Sequence, residues 1–464
     1  MNRPASVEDL SCSLHPQEPA ASTVQGRPRV RILAAMNSLS WLPFRQAGFS
    51  VADQVLSVGG MFLVNVALAR TQSKEEYGIF ALSYSVFTFL SGIHNAAILE
   101  TYTVYGSGRY QKHFPSYASL LWRTSILWGL GLTVALALFW RVLAWAVPGM
   151  ASITFLGMAI TCGVLLTAAF IRRTFYIRRR SDLAAKFSAI FFFSCLILLW
   201  TSIRTGILNG FFAFVIVSLA WIFAASLVLK ELPRTESEQS FAELEPVYWS
   251  EHWKYSRWVL VTAFVFQLTT QGYLWLAAAF LSVKEVGNLR AMYNVVLPAD
   301  QLFTAMSLLV LPVMCSRYTT QKMAGLLGIW KTYCLGWSLI SLSFAFFVYT
   351  FGRQLMHLLY GGRFDDVAGL VCTLAFLPVI MGIGHTINGA LKAAEKPNLV
   401  FYAYVFSGGT TFAIGIPLVI HLGLRGAVYG MLISGAAYTA ALGVGLYSIL
   451  ISGKLQVAPD VTAT

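Results

Sequence analysis

The chain has 464 residues, 57% hydrophobic and only 11% charged, with a mean hydropathy of +0.66. A soluble domain carries roughly 25% charged residues and its core stops growing at about 250–300 residues, so a soluble enzyme of this length is excluded and a membrane protein is expected. The net charge of +13 would point a soluble chain toward nucleic acid, but here the basic residues lie mainly between apolar blocks. The expected partners are therefore membrane lipids with anionic heads, not nucleic acid.

Residues 1–43 hold no long apolar run and are rich in Ser, Pro and Ala, which predicts a flexible cytoplasmic tail. The first apolar stretch begins near Ala47, too late and too long for a conventional cleaved signal peptide. Apolar blocks long enough to cross a bilayer, about 20 residues each, then recur at 47–69, 78–104, 118–140, 151–171, 183–203 and 206–229. Six more follow at 257–280, 288–313, 326–349, 366–391, 397–420 and 425–451. The runs do not alternate, so they predict helices rather than barrel strands. The expected fold is an all-α polytopic membrane protein with about 12 transmembrane helices in two pseudo-symmetric six-helix bundles around a central cavity. The expected organisation is a tail over 1–43, a first bundle over 44–230, a cytoplasmic linker over 231–250, a second bundle over 251–452 and a short tail over 453–464.

With both termini cytoplasmic, the even-numbered connections carry 18 Lys and Arg residues against 9 on the opposite face, in accord with the positive-inside rule. Arg70, Lys74, Arg290 and Arg363 are among the nine. An internal repeat divides the chain in the same place as the linker. Ser73, Glu76, Gly78 and Tyr84 recur at one offset as Ser282, Glu285, Gly287 and Tyr293, each set between the first and second helices of a half. Such a parallel repeat relates the halves about an axis along the membrane normal. Two halves joined by a flexible link suggest alternating access, and no repeated channel filter is present.

Charge inside the bilayer costs roughly 2.5–3.5 kcal/mol on the insertion scale, so intramembrane ionisable groups are candidate functional residues. Asp53 lies early in the first helix, and His94 and Glu100 lie along the second, Glu100 within reach of Arg109 or Arg123. Asp300 follows Pro298 in an apolar run, where proline is expected to bend the helix and expose the carboxylate to a cavity. Gln267 and Gln271 are four apart on one helical face. With Asn65 and Asn294 they would suit a hydroxyl-rich substrate, although such amides also join helices. His385 and Asn388 stand three apart in the tenth helix. Arg172, Arg173, Arg178, Arg179 and Arg180 form a cytoplasmic cluster suited to anionic heads, whether of bulk lipid or of a lipid-linked pyrophosphate. Six cysteines are scattered singly with no CxxC, so packing roles and no metal site are expected. No Walker A, HExxH or suitably placed GxSxG sequence is present, and neither an enzyme nor a bound cofactor is expected.

Gln46–Phe49, Leu63–Arg70 and Glu76–Gly78 resemble the opening of polysaccharide-biosynthesis flippases of the multidrug/oligosaccharidyl-lipid/polysaccharide exporter superfamily. Leu359–Phe364 and Asn388–Pro397 fit the same pattern, and the resemblance covers about residues 45–450. It implies a multi-pass bacterial inner-membrane flippase for an undecaprenyl-pyrophosphate-linked glycan, of the O-antigen or exopolysaccharide kind. A proton or sodium gradient is the implied coupling source, with a polysaccharide polymerase and glycosyltransferases as partners. Basic cavity residues often serve the pyrophosphate in such proteins, and few are evident in these spans. A cation-coupled drug antiporter, which Asp53 and Asp300 could partly serve, and a non-transporting scaffold for polysaccharide assembly are the alternatives.

Overall fold

A computed structural model describes residues 44–107, 110–146, 152–233 and 239–455. The chain forms two units, Met1–Ala47 and Gly48–Thr464. In the first, described residues 44–47 are helical; all that follows concerns the second. The expected tail over 1–43 and most of that over 453–464 lie outside the described residues.

Among the described residues, the second unit contains twelve helical rods. The first six are α1 (Gly48–Thr71), α2 (Lys74–Ser107), α3 (Phe114–Ala146), α4 (Ile153–Ile177), α5 (Ser181–Arg204) and α6 (Gly210–Val228). α7 (Gln239–Phe280) is a 42-residue helix. The run Val283–Tyr360 breaks at Lys322 (φ 51°, ψ −142°) into α8 (283–321) and α9 (323–360). α10 (Ala368–Ala393) follows, then α11 (397–422) and α12 (424–455), which meet at Gly423 (φ 59°, ψ −134°). The protein is thus an all-α multi-pass membrane protein with two pseudo-symmetric six-helix bundles.

Two local expectations differ from what forms. α8 stays helical through Pro298, and the backbone break comes at Lys322, where the rod leaves the apolar run for a turn. Residues 239–250 of the expected linker are the first turns of α7, which passes through Pro246. At 1.5 Å per residue, 42 residues span about 63 Å, twice the hydrocarbon thickness, so this end of α7 projects beyond it.

The repeat sets the contact between the halves. Ser73 caps α2 by accepting from the Glu76 amide at 3.1 Å, and Ser282 caps α8 by accepting from the Glu285 amide at 3.3 Å. Five residues further on in each copy, Gly78 and Gly287 face each other across the α2–α8 crossing. A methyl group at Gly78 would strike the Val283 carbonyl, and one at Gly287 would lie 2.6 Å from the Lys74 carbonyl oxygen. Only glycine admits this approach of two backbones. Glu76 then anchors α2 within its own half, accepting from Thr154 Oγ1 at 2.7 Å and from the Gly210 amide at 3.3 Å.

The halves also join at both ends. At the Ser73–Ser282 end, Lys74 pairs with Asp366 at 2.6 Å, Arg70 donates to the Leu358 and Leu359 carbonyls, and Arg363 donates to the Gln72 carbonyl. At the opposite end, α7 lies on α2 and α3. His252 Nε2 bonds to the Ala97 carbonyl at 2.8 Å, where α2 relaxes into a π-turn over Asn95–Leu99, and its Nδ1 meets Tyr117 Oη at 2.8 Å. The carbonyl accepts only a donor, so Nε2 carries the proton and Nδ1 accepts from Tyr117.

Candidate functional site

A cavity of about 390 Å³ opens between the halves. Its first wall is a stripe on α1, where Ser57, Met61 and Asn65 recur every four residues, facing Tyr84, Thr88 and Ser91 of α2. Its second wall comes from α8, where Arg290, Tyr293, Asn294, Leu297 and Gln301 follow the same helical period, with Gln271 of α7 beside them. Arg172 of α4 and the aromatic rings of Phe191, Phe214 and Trp221 complete it. The described lining holds two guanidinium groups and no carboxylate.

Several of these groups still lack a partner. Asn65 Nδ2 is spent on the Met61 carbonyl at 2.9 Å, and Asn294 Nδ2 on Tyr77 Oη at 3.0 Å. Their Oδ1 atoms, like Arg290 Nε, are buried without a hydrogen bond. Arg290 lies over the Tyr84 ring, 5.1 Å from its centroid, which offsets part of the cost of holding the cation there. A buried polar atom left unbonded costs about 1–3 kcal/mol. The three belong to residues that line one cavity, whose guanidinium groups suit an anionic acceptor and whose amides suit hydroxyl donors.

Arg172 is held differently. Its Nη2 and Nε reach Asp53 Oδ2 and Oδ1 at 2.6 and 3.2 Å, while Tyr176 Oη and Ser188 Oγ donate to the same carboxylate at 2.6 and 2.5 Å. The Asp53 side chain is fully buried, whereas that of Arg172 is 25% exposed and faces the cavity. Gln54 Nε2 donates to Gln301 Oε1 at 2.9 Å, tying α1 to α8 nearby.

The structure thus brings Asn65, Gln271, Asn294 and Arg172 together, with Asp53 directly behind Arg172. The other candidates stand elsewhere. His94 bonds to Ser125 at 3.0 Å between α2 and α3, and Gln267 packs on the backbone of Gly92. Glu100 is exposed within electrostatic range of Arg173; Arg109, one of its expected partners, lies outside the described residues. Asp300 accepts from the lining residue Tyr293 Oη at 2.8 Å but is not itself part of the described lining. His385 stacks on Phe303, and Asn388 donates to Tyr438 at 3.1 Å, both inside the second half. The arginine cluster also divides. Arg173 donates to Asn95 Oδ1 at 2.9 Å, Arg178 to the Glu231 carbonyl and Arg180 to Asp182, while Arg179 turns the chain at φ 57°.

Arg290 is no candidate from sequence, because it stands near the start of the span expected over 288–313 and so reads as one of the nine basic residues of the non-cytoplasmic face. The signal that finds it is the period 290, 293/294, 297, 301, a polar stripe running down an otherwise apolar helix.

No family model matches the chain, and no curated protein does. Solved structures do. The chain is similar to an inward-facing multidrug resistance MATE family transporter of the MOP superfamily, with a TM-score of 0.68 at 13% identity, over 88% of this chain and 96% of that one. This chain has the fold of MATE transporters. A mutant of the Vibrio cholerae MATE transporter VcmN matches with a TM-score of 0.64 at 14% identity, over 90% and 98% of the two chains. A MOP superfamily transporter from Pyrococcus furiosus, described as having a binding pocket of reversed polarity, matches at 0.63 and 11% identity, over 89% and 96%.

Proposed function

We infer that the protein is an alternating-access transporter whose cavity takes an anionic, hydroxyl-bearing head group, and that the substrate is a lipid-linked oligosaccharide flipped across a bacterial inner membrane. One observation carries this reading: Arg290, with its Nε unpartnered, shares a carboxylate-free cavity with Arg172 and two unpartnered amide oxygens. A sugar pyrophosphate supplies the missing acceptors and donors together. The fold supports transport, not catalysis, as the activity. The Arg178 end is cytoplasmic in this reading, by the positive-inside bias, and both termini lie on that side. A proton or sodium ion couples the cycle, and a polymerase and glycosyltransferases consume and supply the glycan.

A second reading, ion-coupled antiport of a small solute, is favoured by the cavity volume of about 390 Å³, within the range of drug-sized sites, and by the fold shared with multidrug transporters. The two separate in proteoliposomes loaded with a labelled undecaprenyl-pyrophosphate oligosaccharide under an imposed ion gradient. Wild-type flipping that falls at least ten-fold in Arg290→Ala supports the flippase. Absence of flipping in folded protein that exports small anions or cations assigns the antiporter, and transport of neither assigns a scaffold.

A further inference from the structure

We propose that Asn294 and Tyr77 let the cavity tell a charged head group from a neutral one and pass that distinction to the Ser73–Ser282 end; this rests on the anionic-head reading above. Asn294 lines the cavity on α8, one turn beyond Arg290 and on the same face. Its Nδ2 donates to Tyr77 Oη of α2 at 3.0 Å, a bond that crosses from the second half to the first between two buried side chains. Its Oδ1 is unbonded, as is Arg290 Nε. The amide therefore meets the two kinds of ligand differently. A neutral hydroxyl satisfies it by donating to Oδ1, and as an acceptor has no advantage over the phenol. A phosphate oxygen held by Arg290 is an ionised acceptor, which binds an N–H roughly twice as strongly as a neutral one, so it draws Nδ2 off Tyr77.

Tyr77 is built into the closure at that end. It directly precedes Gly78, where a methyl group would strike the Val283 carbonyl of α8. Its ring meets the buried ring of Phe364 edge-on, with the centroids 5.9 Å apart. Lys74, one turn earlier on α2, holds its Nζ 5.2 Å from the centroid of the same Phe364 ring while pairing with Asp366 at 2.6 Å. One turn of α2 thus grips Phe364 and Asp366 of the second half, and the Asn294 amide joins that turn to the cavity wall. A series of contacts transmits a signal only through an element with two arrangements. Here the element is the amide. Bonded to the phenol it holds the halves together; bonded to the ligand it does not.

The test uses the full-length protein in nanodiscs, with its native cysteines replaced and spin labels on cysteines at Ile207 and Leu422. Both positions are exposed, one in each half, and both lie at the Ser73–Ser282 end. Methyl glucosyl pyrophosphate is expected to lengthen the distance between the labels, and methyl glucoside to leave it unchanged. Tyr77→Phe keeps the ring and removes only the acceptor. It is expected to raise the open-to-closed ratio without ligand by about two- to ten-fold, the worth of one hydrogen bond, and to tighten binding of the pyrophosphate by a similar factor, because Nδ2 is already free. A hydroxyl that only stabilised the fold would lower the thermal midpoint without tightening binding. Affinity that is unchanged or weaker in Tyr77→Phe overturns the proposal and leaves the head-group reading intact. So does a wild-type response that is absent, or equal for the two ligands, in protein that binds the pyrophosphate; this comparison does not depend on the variant folding. Failure of wild type to bind the pyrophosphate overturns both.

Discussion

Asp53 and Arg172 show how a single buried pair serves both stability and polarity. The carboxylate receives two bonds from the guanidinium and one each from Tyr176 and Ser188, so its charge is fully answered. Removing one partner of a buried pair costs roughly 3–5 kcal/mol because the other charge remains, while an apolar pair of similar size is often tolerated. Arg172 is a quarter exposed, so water takes up part of its charge and the loss in Asp53→Asn falls at or below the lower end. Asp53→Asn should therefore lower the thermal midpoint, and Asp53→Leu with Arg172→Met should recover most of it; a double variant as unstable as the single would show that packing, not charge, dominates. Arg290 makes a complementary prediction. Charge-assisted hydrogen bonds contribute about 1.5–3 kcal/mol, so on the flippase reading proposed above Arg290→Ala should weaken binding of a sugar pyrophosphate by about ten- to one-hundred-fold in calorimetry. Loss of its contact with the Tyr84 ring is offset by relief of the unbonded buried Nε, so the same change should move the thermal midpoint less than it weakens binding. A loss of stability that equals the loss of binding would make Arg290 structural. Both residues were visible as letters but not as roles. Asp53 was legible because an acid in an apolar run is conspicuous, whereas its partner was read as surface charge, since sequence gives no direction for an arginine near a helix end.

At the scale of helices the sequence was far more informative. Hydropathy placed all twelve rods to within a few residues at most ends, because a bilayer demands apolar lengths and a saturated backbone. At residues 239–250 the polar composition predicts a linker and the structure has helix there; a helix that projects beyond the hydrocarbon needs no apolar surface. The Ser73 and Ser282 repeat was legible as letters, and its meaning is the glycine-to-glycine crossing of α2 and α8. Gly78→Ala and Gly287→Ala should each force the helices apart and lower the thermal midpoint by several degrees. Their effects should be less than additive, since one displacement relieves both clashes and residues in contact couple. Strict additivity would mean that each methyl group is accommodated locally, with the crossing unchanged. Ser73→Ala, which removes only a cap, should cost about 1 kcal/mol and leave the crossing in place.

For the whole molecule, the two halves must separate at one end while they meet at the other if the cavity is to open alternately. At the Ser73–Ser282 end they are held by Lys74 to Asp366, Arg70 to two carbonyls of α9, and Arg363 to the Gln72 carbonyl, all of them contacts across the halves. Lys74 and Asp366 are partly solvated, with side chains 19% and 55% exposed, and such pairs contribute little each, about 0–1 kcal/mol. These exposed pairs rim a buried contact, the Gly78–Gly287 crossing and the edge-on rings of Tyr77 and Phe364, and all of it must part together if this end is to open. Replacing Lys74 and Asp366 by cysteine, in a protein whose six native cysteines are exchanged for alanine or serine, permits a short bifunctional thiol reagent to fasten this end. On the flippase reading proposed above, fastened protein should still bind the sugar pyrophosphate from the Arg178 side with unchanged affinity yet lose translocation, and cleavage of a reducible reagent should restore it. Undiminished translocation with the link in place would show that the halves do not part here, and would put the moving contact at the opposite end, where His252 and Tyr117 hold α7 to α2 and α3.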